Sequence, residues 1–139
     1  MSDAQVDVEH LAVEARAARE RAYAPYSDFM VGAAVLLDGD PPAIASGGNV
    51  ENASYGLSMC EERVAVYRAL AQTSGQSRLA AIVVAGPGDD PTWPCGACRQ
   101  VLHEFGPDMI VIAESASGRR EQRRLTELLP QAFGPGDLR

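Results

Sequence analysis

Pro94-Cys95-Gly96-Ala97-Cys98-Arg99 decides how this chain is read, together with Cys60-Glu61-Glu62-Arg63, whose cysteine lies 35 positions before Cys95. Proline suits the opening of a helix, because its fixed φ is helical and its missing N–H is not needed there. Cys95 and Cys98 then stand three residues apart at a helix start, on one face. Cys60 sits at the start of another helix. Helix N-termini carry partial positive charge, which favours thiolate over thiol and so metal binding. The chain has three cysteines, an odd number, and a disulfide framework would want an even count and an oxidising compartment. Cys60 alone would pass for a small buried hydrophobe, but that reading does not explain the Cys95–Cys98 pair. Three thiolates can hold one zinc ion and leave the fourth tetrahedral position open, the mark of catalytic rather than closed structural zinc. Zinc lowers the pKa of a bound water towards about 7.

Three thiolates exceed the charge of the metal by one. Arg63 and Arg99 each directly follow a motif and can donate charge-assisted hydrogen bonds to sulfur; the plainer alternative is a pair of surface arginines. Ser58-Met59-Cys60-Glu61 matches a capping box, which gives Ser58 and Glu61 a structural task at an exposed, well-solvated helix start.

Outward from these motifs, Asp7 caps a first helix running to about Tyr23, with apolar residues recurring at helical spacing. Pro25 ends it. Met30 to Leu37 reads as a buried strand and Ala43 to Asn49 as a second, with Asp38–Pro42 as the turn between them. A helix runs from the Ser58 cap to about Gln72, a strand from Leu79 to Ala85, and a helix from Pro94 to near Gly106. Met109 to Ala113 and Arg119 to Leu125 are strand-like, and Thr126 caps a short helix that Pro130 stops. The order α-β-β-α-β-α-β-β-α implies one α/β domain over residues 1–139, a three-layer α/β/α arrangement with a mixed, about five-stranded sheet.

The net charge is −7 and the hydrophobic fraction 46%. An acidic surface repels a phosphate backbone, so nucleic acid is not an expected partner. Arg119, Arg120, Arg123 and Arg124 read as a solvated strand or turn. The first residues show neither a basic n-region nor an apolar h-region, and no apolar run approaches the roughly 20 residues a membrane helix needs. A cytoplasmic, membrane-free protein is the expectation.

Beside the two metal motifs stand Ala24-Pro25-Tyr26-Ser27, Val31-Gly32-Ala33-Ala34, Asn49-Val50-Glu51-Asn52-Ala53-Ser54-Tyr55-Gly56 and Leu128-Leu129-Pro130-Gln131-Ala132-Phe133. In this order, around a C-x-E, they resemble the small all-cysteine cytidine deaminases over nearly the whole chain. A lone C-x-x-C is weak; the ordered set is specific. The resemblance implies a cytidine deaminase-like fold, one zinc per chain on Cys60, Cys95 and Cys98, and hydrolytic deamination of cytidine and 2'-deoxycytidine in pyrimidine salvage. It implies attack of zinc-bound hydroxide at C4, with Glu62 carrying protons to N3 and to the leaving amine. Spacing alone would turn Cys60 and Glu62 to different sides of a regular helix, and Glu62 alone would pass for a first-turn glutamate favoured by the helix dipole. The resemblance further implies that Asn49 and Glu51 hold the ribose hydroxyls and that Phe29 packs against the base. Ala53, Tyr55 and Phe133 would reach into the site of a neighbouring subunit in a homotetramer. Phe133 could instead be a core aromatic closing the last helix. Glu61 departs from the family, which usually has Ala there and uses that position's backbone N–H on the pyrimidine carbonyl. Its carboxylate could raise the pKa of Glu62 or weaken binding.

Three rival readings stand beside this one. A structural zinc module would need a histidine, but His103 lies five residues after Cys98, about 140° round the helix, and His10 has no motif context. A relative acting on another aminopyrimidine, such as blasticidin S, would lack the Asn49-Val50-Glu51-Asn52 block. A polynucleotide-editing deaminase conflicts with the acidic charge.

Overall fold

Strand β1 (Gly32–Leu37) is buried at every position, which requires cover on both faces. The computed structural model describes residues 6–73 and 78–139 and provides that cover. The strands β2 (Ala43–Gly48), β3 (Leu79–Ala85), β4 (Ile110–Glu114) and β5 (Arg120–Arg124) join β1 in one five-stranded sheet of order β2-β1-β3-β4-β5. It is mixed, with β3 and β4 parallel and the other neighbours antiparallel. Side chains alternate between the faces with the period of two that a strand imposes. Ala33, Val35, Leu37, Ile82, Val84 and Val111 join one core cluster, while Ala34, Leu36, Val83, Ile110 and Ile112 join the other.

Helix α1 (Val8–Glu20) covers the second cluster with Leu11, Ala12 and Ala15. Its alanines let the helix sit close. At Gly32 a Cβ would lie 2.0 Å from the Ala15 carbonyl oxygen, so only glycine admits this approach. Helices α2 (Glu61–Gln72), α3 (Gly96–Phe105) and α4 (Leu125–Leu128) cover the first cluster, through Ala65, Val66 and Ala69, Leu102 and Leu125 respectively. The three layers expected from the element order are present. Helix α3 is the crossover between the parallel strands β3 and β4, so it starts beyond the carboxyl end of β3, where α/β sheets place their ligands.

Three local expectations change. The first helix stops at Glu20 rather than near Tyr23, because Tyr23 pairs with the 49–51 segment: its N–H donates to the Asn49 carbonyl at 2.9 Å and its carbonyl accepts from Glu51 at 2.8 Å. The capping box from Ser58 to Glu61 does not form. Val50 and Met59 exchange backbone hydrogen bonds at 2.9 and 2.8 Å, which keeps the chain extended up to Cys60. Cys60 is therefore the residue that caps α2, and the Ser58 hydroxyl accepts the Asn52 N–H at 3.0 Å instead. Thr126 lies inside α4 rather than before it. The cap there is Arg124, whose N–H donates to the Glu127 carboxylate at 2.9 Å.

Arg119 and the arginines of β5 lie at an exposed sheet edge, as expected, and lean on acids: Arg119 on Asp90 at 3.0 Å and Arg120 on Glu9 at 2.7 Å. No described helix is long and apolar enough to cross a membrane.

Candidate metal centre and cavity

Cys60 and Cys95 occupy the same place on two helices. Each caps its helix with an extended backbone, φ −72° and ψ 151° at Cys60, φ −68° and ψ 169° at Cys95, and neither makes a side-chain cap bond. Their sulfurs are 3.8 Å apart. Cys98, fully buried in the first turn of α3, completes a set whose three sulfurs all lie within 4.8 Å of one another. A tetrahedral zinc with Zn–S of about 2.3 Å places sulfurs roughly 3.8 Å apart, so the donor set fits zinc in chemistry and in spacing. No histidine belongs to the cluster among the described residues, and His10 instead faces Glu14 at 3.9 Å.

The electrostatics favour thiolate at one corner. The Cys60 thiol is drawn down to about 5 by its hydrogen bond with Cys98 and by Arg63, against the cost of burial. Cys98 is pushed up by that same contact and by its own burial. Thiolates this close repel one another unless a cation takes up their charge. Arg63 donates to the Cys60 sulfur at 3.5 Å, as expected. Arg99 does not reach sulfur. Its Nε donates to the Pro94 carbonyl at 2.7 Å and its Nη1 to the Leu128 carbonyl at 2.8 Å, so it ties the start of α3 to the end of α4 instead.

Beside the sulfurs opens a cavity of about 280 Å³, lined among others by Cys60, Cys95, Glu61, Glu62, Asn49 and Glu51. Cys60 and Glu62 do converge on it. The reason is local: Cys60 stands outside the helix in extended backbone, so helical spacing does not set its direction. Glu62 is 2% exposed, and its Oε1 has no hydrogen-bond partner among the described residues. Burial pushes its carboxyl above the ordinary range. A carboxylate set this way is costly unless something in the cavity meets it. Glu61 is also buried, at 6% exposure, not solvated. Burial, then the adjacent Glu62, push its carboxyl up to about 9.

At the other end of the cavity, Phe29 is half-exposed. Asn49 accepts the Val31 N–H at 2.9 Å and donates to the Phe29 carbonyl at 2.8 Å. Ala53, Tyr55 and Phe133 do not line this cavity. Tyr55 and Phe133 stand 76% and 59% exposed, so Phe133 is no core aromatic. Its carbonyl is held by Gln100 Nε2 at 2.6 Å. Trp93 and Thr92 also line the cavity and were missed by motif reading. Their place directly before Pro94-Cys95 was the available signal.

The family model for the cytidine and deoxycytidylate deaminase zinc-binding region matches residues 6–114. A cytidine deaminase of Halalkalibacterium halodurans is 44% identical over 96% of this chain and 98% of its own length. One from Mycobacterium tuberculosis is 46% identical over 96% and 94%. The crystal structure of cytidine deaminase from Burkholderia pseudomallei superposes with a TM-score of 0.83 at 44% identity, covering 96% of this chain and all of that one.

Proposed function

The chain belongs to the cytidine and deoxycytidylate deaminase zinc-binding family and is a zinc-binding hydrolase of it, and we propose that it converts free cytidine and 2'-deoxycytidine to uridine and 2'-deoxyuridine. The observation that carries this reading is the buried Glu62 carboxyl, with one oxygen unpartnered among the described residues, facing a cavity beside three clustered sulfurs.

Cys60, Cys95 and Cys98 would hold zinc, which when bound supplies a water acidic enough to react at neutral pH. Arg63 offsets the surplus negative charge of the sulfurs. Glu62 takes up in turn the two protons that the attacking water gives up, delivering the first to N3 of the pyrimidine and the second to the amine that leaves from C4. Its raised pKa suits a group that must be both base and acid near neutral pH. The backbone N–H of Glu61, which a change of side chain leaves in place, would meet the pyrimidine carbonyl. Phe29 packs against the base. Asn49 and Glu51 meet the ribose hydroxyls, which selects nucleosides over free bases.

Ala53, Tyr55 and Phe133 lie on the exposed surface, where they would complete the site of a neighbouring copy in a homotetramer. The enzyme would act in pyrimidine salvage in the cytoplasm, as one domain. The test is direct: protein purified without added metal should carry about one zinc per chain and lower the absorbance of cytidine as uridine forms. Full zinc with no conversion of either nucleoside would refute the reading.

A further inference from the structure

The loop from Tyr26 to Val31 is folded around the side chains of Asn49 and Glu51. Glu51 Oε1 accepts the N–H groups of Tyr26 and Ser27 at 2.9 and 3.2 Å, and Oε2 accepts the Ser27 hydroxyl. That same hydroxyl oxygen accepts the N–H of Phe29 at 3.0 Å. A serine hydroxyl has one proton to give and two lone pairs, so both bonds can be made at once. Between them Asp28 sits at φ 59°, a left-handed conformation that aspartate tolerates better than most residues and that brings the Phe29 N–H back to Ser27.

From this arrangement we infer that Ser27 is a positioning residue for the nucleoside: its hydroxyl ties the Glu51 carboxylate to the backbone of Phe29, so that the sugar and base contacts are set as one unit. The inference rests on Glu51 as the sugar contact and Phe29 as the base contact. Without Ser27, Glu51 keeps two backbone donors but loses the one that fixes its second oxygen, and Phe29 loses the acceptor for its N–H. The Ser27 hydrogen bond is also the largest reason that Glu51 stays ionised more readily than an ordinary glutamate. An ionised carboxylate is the stronger acceptor for a sugar hydroxyl.

Zinc-loaded wild type, Ser27→Ala and Ser27→Thr are compared on cytidine and on cytosine, with kcat and KM measured separately. Ser27→Ala should raise KM for cytidine about tenfold, the effect of one charge-assisted hydrogen bond, with a smaller change in kcat. Activity on cytosine, which has no sugar to read, should move much less, and Ser27→Thr should restore the cytidine KM. The split between KM and kcat on cytidine decides the matter even where cytosine turnover falls below detection. Should Ser27→Ala not fold, Ser27→Gly takes its place. An unchanged cytidine KM, or a loss carried by kcat, would overturn the role of Ser27. A wild type that converts no nucleoside would overturn the site reading itself.

Discussion

Helix α1 begins as a surface helix usually does, whereas α2 and α3 begin on cysteines. At α1, the Asp7 carboxylate accepts the His10 N–H at 3.0 Å, and Glu9 stands in the first turn where the helix dipole favours it. At α2 and α3, Cys60 and Cys95 hold the cap position with no side-chain bond to the free backbone N–H groups of their own helix. Each forgoes a contact that typically contributes about 0.5–2 kcal/mol. What replaces it is shared: the two cap sulfurs and Cys98 face one point. Structural zinc contributes on the order of 10 kcal/mol in small domains, so the exchange favours the fold whenever metal is bound. One helix start is stabilised locally, and the other two would be stabilised by each other through the ion that the three sulfurs can hold.

That contrast breaks most completely if zinc is not the common partner. Cys98→Ala should lose the metal, all deaminase activity and much of the folded population. Elemental analysis beside circular dichroism reads both effects, and full zinc retention would refute the shared-ion account. Asp7→Ala, at the ordinary start, should leave zinc untouched.

Next in size is Glu62→Gln. The amide keeps the shape of the side chain but cannot shuttle protons, so turnover should fall about 10²–10⁴-fold with zinc and fold retained. Rates near wild type would remove Glu62 from the chemistry.

The same contrast explains what could be read from the residues alone. Metal spacing is local: Cys95 and Cys98 lie in one helical turn, and Cys60 at another helix start, so the clustering of the three sulfurs was legible. The layering was legible too, because β1 is apolar throughout and the elements alternate. Ser58 misled because a long-range pairing, Val50 with Met59, moved the start of α2 two residues onward. Arg99 misled because adjacency to a ligand does not tell where a side chain points. The convergence of Cys60 and Glu62 was invisible to helical spacing because Cys60 is not in the helix. Ser27 carries no motif chemistry of its own, and only the folded loop shows what its hydroxyl joins.

Glu61 sharpens the comparison from inside the unusual helix start. A capping partner would lose stability on truncation. Glu61 makes no such bond and is buried beside a second carboxyl, so Glu61→Ala should hold or raise the melting temperature of the zinc-loaded protein. A drop in melting temperature would restore the capping role.

The smallest effect lies at the ordinary start and depends on pH. Glu9 meets Arg120 at 2.7 Å and Arg16 at 3.4 Å, and both arginines also reach the buried Glu114, at 3.4 and 2.6 Å. Among the described residues these are the charged groups facing Glu9, from α1 itself and from the β4–β5 edge. The bond from Arg120, then that from Arg16, hold the Glu9 carboxyl below its ordinary value of 4.5. A carboxyl depressed by folding contributes stability above its unfolded pKa and loses that contribution as pH falls through the depressed folded value. Glu9→Gln should therefore melt slightly below wild type at pH 7. The gap should close once the pH drops below the depressed value, where wild-type Glu9 is itself neutral. Zinc loss at low pH affects both proteins alike, so the difference between their melting curves is the readout. Exposure keeps the effect small, and salt should shrink it further, because solvent screens such pairs. A gap of constant size from pH 7 to pH 3 would show that Glu9 holds α1 by packing and not by charge.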